Sequence, residues 1–147
     1  MHIDPRLNDI DDCLYRVAAR LIVLQDNKVL LIKERSHGLW ALPGGGIDHG
    51  DSIQSSLLRE IQEEIGVPPG YVSCDFEIVY YNIGTVVNAV PRMNLYFKAS
   101  IAEGQVQKTS HISELAWFTK DEFLTLQLHS SYNKGHLEAA IWGDGGA

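Results

Sequence analysis

The chain has 147 residues, a formal net charge of −7 and 45% hydrophobic residues, which suits one compact domain with a sizeable core and leaves no room for a second. An acidic field repels polyanions, so extended nucleic acid is not the expected partner; a phosphate-bearing ligand must be drawn by local cations, a bound metal or a basic pocket. Cys13 and Cys74 form neither a disulfide framework nor a metal knuckle, and no stretch approaches a membrane span, which reads as a cytoplasmic protein.

The opening residues, MHIDPRLNDIDD, lack the basic flank and apolar core of a signal peptide, and residues 1–13 read as an N-terminal arm, poorly ordered or laid along a sheet edge. From Tyr15 to Gln25 the Val and Ile content predicts a strand, and Asp26-Asn27 is a turn signal before a second strand from Lys28 to Arg35. Lys33 and Arg35 share a face of that strand by its period of two, either as surface charge or as phosphate contacts. Trp40 reads as a core anchor, with a wall of the pocket as the alternative, ahead of Gly44-Gly45-Gly46.

A helix follows. Ile53, Leu57, Ile61 and Ile65 recur every four residues, with Leu58 widening the stripe. Asp51 stands where an N-cap acceptor belongs, with Gln54 three residues on, and Gly66 before Val67-Pro68-Pro69 supplies the stop. At roughly 100° per residue, Glu60, Glu63 and Glu64 crowd into an arc of about 100° bordering the apolar stripe. Like charges so spaced repel, and Arg59 offsets only part of that repulsion; a divalent cation would offset the rest. Taken alone, REIQEE reads more readily as a solvated helix face laced by ion pairs than as a metal site.

The segment from Gly45 through Asp51 and Arg59-Glu60-Ile61 to Glu63-Glu64 and Gly66-Val67 resembles the signature box of the Nudix hydrolases. It departs at Asp51, where the family carries glutamate. The resemblance implies an αβα sandwich with a mixed central sheet (class α/β, or α+β), in agreement with the element order strands, helix, strands, helices. It implies Mg2+ or Mn2+ held by Glu60, Glu63 and Glu64 with the carbonyl of Gly44 or Gly45, and Arg59 orienting a glutamate. Monomer and homodimer are both compatible with it.

Beyond the helix, strands are expected over 71–81 and 88–100, separated at Asn82-Ile83-Gly84. Leu95 and Phe97 fall on one face of the second, Asn94, Tyr96 and Lys98 on the other. Tyr80, Tyr81, Arg92 and Tyr96 are candidates for substrate recognition by stacking or phosphate pairing, with Arg35 beside them. Glu103-Gly104-Gln105 reads as a turn. The run His111 to Phe118 resembles the Nudix segment that carries an acid before a Trp-Phe strand end, which makes Glu114 a further metal ligand or general base and His111 a weaker candidate. Thr119 and Glu122 form a capping box for a helix through Leu128, residues 135–142 are helical, and 143–147 should fray.

The triple glycine lacks the GxGxxG and Walker spacings, and no zinc motif occurs. The resemblance thus implies hydrolysis of a pyrophosphate bond in a nucleoside diphosphate linked to another moiety, with a nucleoside triphosphate or similarly small nucleotide as the expected substrate. Water attacks one phosphorus, and either an α-helical glutamate or Glu114 takes its proton. The alternative is a Nudix-fold sensor that binds nucleotide without cleaving it.

Overall fold

In the computed structural model, residues 3–86 and 88–143 are described; the expected fraying of the last residues concerns positions that, beyond Gly143, lie outside them. Strand β1 (Arg16–Gln25) turns through Asp26 and Asn27 into β2 (Lys28–Glu34). Both turn residues have positive φ, 51° and 61°, a backbone whose twist matches the flanking strands. Then come β3 (Trp40–Ala41), β4 (Gly44–Gly46), helix α1 (Ile53–Ile65), β5 (Val72–Cys74), β6 (Tyr80–Gly84), β7 (Arg92–Ile101) and β8 (Ile112–Phe118). Helices α2 (Lys120–Thr125) and α3 (Lys134–Trp142) close the order.

The sheet is mixed. β1 is its centre, parallel to β7 along Arg16–Val23 and antiparallel to β4 on its other side, then to β2 at its far end. β2 carries β3 and β8, while β5 and β6 share the outer side of β7. Helices cover both faces. Ala19, Leu21 and Val23 of β1 pack with Leu95, Phe97 and the α1 residues Leu57, Ile61 and Ile65. Ile22, Leu31 and Tyr96 pack on the opposite face with Phe123 of α2 and Leu137 and Ile141 of α3. Strands buried on both faces need no polar alternation, which is why VLLI in β2 shows none.

Several boundaries differ from expectation. The predicted strand 71–81 is two strands, because the chain leaves the sheet after Cys74 and Phe76 takes a positive φ of 53°. Asn82-Ile83-Gly84 lies inside β6 rather than between strands, and α2 stops at Thr125. The arm, from Ile3 on, is docked: Ile3 bridges to Ala89, and Pro5–Asp9 form a turn of 3-10 helix capped by Asp4. Trp40 is half-buried against Phe118, ring to ring at 4.8 Å.

The N-cap of α1 is Ser52, not Asp51: its hydroxyl accepts from Ser55 N at 3.1 Å. The backbone bond from Asp51 N to Asp48 O closes a turn at Gly50 that leaves Ser52 as the last extended residue. Asp51 instead accepts from Arg59 Nη2 at 3.1 Å. Gly66 ends the helix in the left-handed conformation, as expected, and the capping box of Thr119 and Glu122 is formed.

Ile61 is fully buried between α1 and the sheet, so Ile61→Ala should destabilise the protein by about 2–5 kcal/mol, against about 0.5 or less for the exposed Gln62→Ala, read by urea denaturation.

Candidate active site

The glycine strand and α1 meet at Gly44. Its N–H donates to Glu64 Oε1 at 2.8 Å, and its carbonyl accepts from Arg20 Nη1 at 3.2 Å. Its φ is 140°, and a Cβ there would lie 2.1 Å from the Ala19 carbonyl oxygen, so only glycine fits. Arg20 also donates to Leu42 O at 3.1 Å and ion-pairs with Glu34 at 3.5 Å, although it is only 3% exposed. The ladder bonds Leu21 N to Pro43 O and Ile47 N to Val17 O set the parity of β4 against β1. By that parity Gly45 pairs in the ladder with Ala19, while the Gly44 carbonyl turns to Arg20.

The three glutamates differ in environment. Glu64 is buried, Glu60 is half-buried and Glu63 is exposed. The Glu60 carboxyl lies so close over Gly45 that a Cβ there would stand 2.9 Å from Cδ. Burial pushes the Glu64 carboxyl up to about 8; the Gly44 N–H and Arg20 oppose this, and Glu60 and Glu34 add to it. Burial, then the neighbouring Glu63, likewise raises Glu60. Arg59 is exposed, paired with Asp51, and feels Glu60 and Glu63 only through its field.

Crowded, partly desolvated carboxylates beside open backbone suit a hard divalent cation, whose charge offsets the desolvation that now raises them. Among the described residues, no three His, Cys, Asp or Glu side chains converge closely enough to hold an ion by themselves. Glu60, Glu63 and Glu64 would therefore hold one together with water and ligand oxygens.

The remaining predicted residues separate. Glu114 stands opposite Lys33 across β2 and β8 and ion-pairs with it at 3.1 Å. Leu115 and Trp117 pack on the α1 side and Phe118 on the other, so by parity Glu114 faces away from α1. His111 is exposed, in a segment whose Thr109 and Gln107 bond the last carbonyls of α1. Arg35 lies just past β2, where Nε donates to Ser110 O at 2.6 Å. Tyr80, Tyr96 and Arg92 share one face, the Tyr80 and Tyr96 rings stacked at 5.3 Å, while Tyr81 is 61% exposed on the other. Tyr96 is fully buried, its hydroxyl donating to Asn82 Oδ1 at 2.5 Å. An open groove of 570 Å3 is lined by Tyr80, Tyr81, Asn82, Asn133 and His136, among others.

Sequence reading missed Arg20 and Glu34, and with them the buried network Asn94–Ser131–His129. An arginine inside the apolar run AARLIVL was the available signal. In the folded protein, burial and then Arg20 and Arg92 lower His129 to about 4, and burial followed by Arg20 lowers Arg92.

A sequence profile for the NUDIX domain matches residues 14–139. The nucleoside triphosphatase NudI of Enterobacter sp. (strain 638) is 31% identical over 101 residues, 64% of this chain and 71% of that protein. The ADP-ribose pyrophosphatase of Methanocaldococcus jannaschii is 43% identical over 56 residues, 36% of this chain but only 33% of its own length. Among solved structures, a UDP-X diphosphatase superposes with a TM-score of 0.72 at 22% identity, covering 93% of this chain and 66% of that one. An ADP-ribose pyrophosphatase from Streptococcus suis 89-1591 superposes at 0.67 and 21% identity, covering 87% and 90%. Sheet, sandwiching helices and glycine-to-glutamate box agree with these matches: the chain belongs to the Nudix family, as an enzyme of its pyrophosphohydrolase class. Hydrolases of this family generally need a divalent metal.

In metal-free protein the folded state keeps the Glu64 proton up to about pH 8, whereas an unperturbed carboxyl releases it near 4.5. Unfolding therefore releases a proton in that window, and the stability of chelator-treated protein should fall as pH rises from about 4.5 to 8. Glu64→Gln should flatten that slope in urea titrations run at successive pH values.

Proposed function

We propose that the chain hydrolyses a pyrophosphate bond in a nucleoside diphosphate linked to another group, first among them a nucleoside triphosphate or similarly small nucleotide, with Mg2+ or Mn2+. The observation that carries this reading is the pair Glu60 and Glu64 of α1, partly desolvated and pressed against a glycine strand, with the exposed Glu63 beside them. Glu60, Glu63 and Glu64 would hold the cation, which when bound neutralises phosphate charge and makes water more acidic. One of these glutamates takes the proton of the attacking water; Glu114, ion-paired with Lys33 and remote from α1, is less suited to that role.

Substrate would enter from the face opposite α1. Tyr80, Tyr96, Arg20 and Gly44 are successive cross-strand neighbours, so the groove beside Tyr80 stands about 14 Å, three strand spacings, from the glycine strand. Two rows further along the same face, past Ala18 and Asn94, Arg92 and Arg16 stand side by side. No carboxylate among the described residues ion-pairs with Arg92, which supports phosphate pairing there; Arg16 is bound to Asp48. Tyr80 and Tyr81 offer aromatic surface to a nucleoside, and Arg35 would act by holding the loop at Ser110. The similarity to a protein named a nucleoside triphosphatase supports a triphosphate. Among the described residues no helix is long and apolar enough to cross a membrane, which agrees with a cytoplasmic setting.

The test is phosphate and pyrophosphate release from nucleoside triphosphates, nucleotide sugars and dinucleoside polyphosphates, with Mg2+, with Mn2+ and with chelator. Chelator-sensitive release from a triphosphate is expected; silence from folded, metal-bound protein would favour the sensor. Glu63→Gln should keep the fold by circular dichroism while lowering turnover about 100-fold or more. Arg92→Gln should raise KM several-fold and leave kcat within about twofold, because it deletes binding common to ground and transition states.

A further inference from the structure

We propose that Arg20 is a positioning residue of the hydrolytic site, fixing the Gly44–Gly45 backbone on which Glu60 and Glu64 are set, without itself touching substrate. The inference rests on the metal-dependent reading above. A guanidinium 3% exposed in the middle of an apolar strand is hard to explain as a solubility or folding device, because taking a charge out of water is unfavourable unless its partners are well placed. Its partners are specific. Nη1 donates to the carbonyls of Leu42 and Gly44, on either side of Pro43, and the carboxylate it ion-pairs with, Glu34 at 3.5 Å, is shared with His37 at 2.6 Å. Nε has no partner among the described residues, so the side chain is oriented by the two loop carbonyls more than by saturation of its donors.

Gly44 is thereby gripped from both sides. The peptide before it is held through its N–H by Glu64, and the peptide after it through its C=O by Arg20. That second peptide leads into Gly45, over which the Glu60 carboxyl lies. Releasing Arg20 leaves the Gly44–Gly45 peptide held only by the ladder pairing of Gly45 with Ala19, which loosens the surface on which both glutamates are set. A lysine keeps the charge but cannot span two carbonyls with a rigid fork.

The experiment is Mn2+ binding by electron paramagnetic resonance titration of Arg20→Met, Arg20→Lys and Glu34→Gln, with kcat and KM for the nucleoside triphosphate that the native chain cleaves fastest. Methionine has similar length but leaves Glu34 without its cation, which costs stability, so folding is checked by circular dichroism and lysine is the second variant should methionine fail to fold. Arg20→Met should weaken Mn2+ about tenfold or more and lower kcat at saturating Mn2+ by at least about tenfold, with KM within about threefold. Arg20→Lys should fall between it and the native protein, and Glu34→Gln should leave Mn2+ binding within about twofold. A folded Arg20 variant that binds Mn2+ as the native protein does would overturn the proposal. So would a Glu34→Gln effect as large as that of Arg20→Met, since Arg20 would then act through the ion pair. Absence of Mn2+ binding and hydrolysis in the native chain would refute the functional reading itself.

Discussion

Gly44 can carry no side chain, and much of the site follows from that. The Ala19 carbonyl occupies the space a Cβ would need, so the glycine strand lies flush against β1. This close approach brings α1 down onto the strand until Glu64 reaches the Gly44 N–H and Glu60 covers Gly45. From the opposite face Arg20 reaches the same residue. One backbone position thus joins the helix α1 on one face to Arg20 on the other.

The two-sided burial of the sheet explains where everything else must go. Because β1, β2 and β7 are covered on both faces, apolar packing leaves polar side chains toward strand ends, on the edge strand β6, or in buried groups such as Arg20 and the Asn94–Ser131–His129 network, where Arg20 Nε and Asn94 Oδ1 have no partner among the described residues. Burial without full pairing makes electrostatics the dominant constraint there. Glu64 is held toward its protonated form and His129 toward its neutral one, both chiefly by desolvation. A cation bound by α1 would reverse the first of these, so metal binding and protonation compete for the same carboxylate.

The protein's net charge of −7 and its phosphate-oriented chemistry are reconciled by segregation. Acidic groups gather on α1, where a cation would compensate them, while Arg92 and Arg16 stand in one row across β7 and β1. On the proposed function, attraction of a polyanion would rest on Arg92 and a bound metal rather than on the mean field.

Sequence alone determined the features whose partners are close along the chain. The four-residue period of α1, the Gly66 stop, the Asp26-Asn27 turn and the Thr119–Glu122 capping box are all local, and the glycine-to-glutamate spacing identified the family. Even here a one-residue step escaped: Ser52 and Asp51 are both good caps, and only the turn at Gly50 decides between them. Tertiary structure decided what depends on contacts distant in sequence and on which way a strand residue points. It alone joined Arg20 to Gly44, turned Glu114 toward Lys33 and away from α1, and buried Tyr96 while leaving Tyr81 in solvent. Strand parity reverses with every residue, and register is set by the pairing of remote segments, so these placements could be known only once the sheet was assembled.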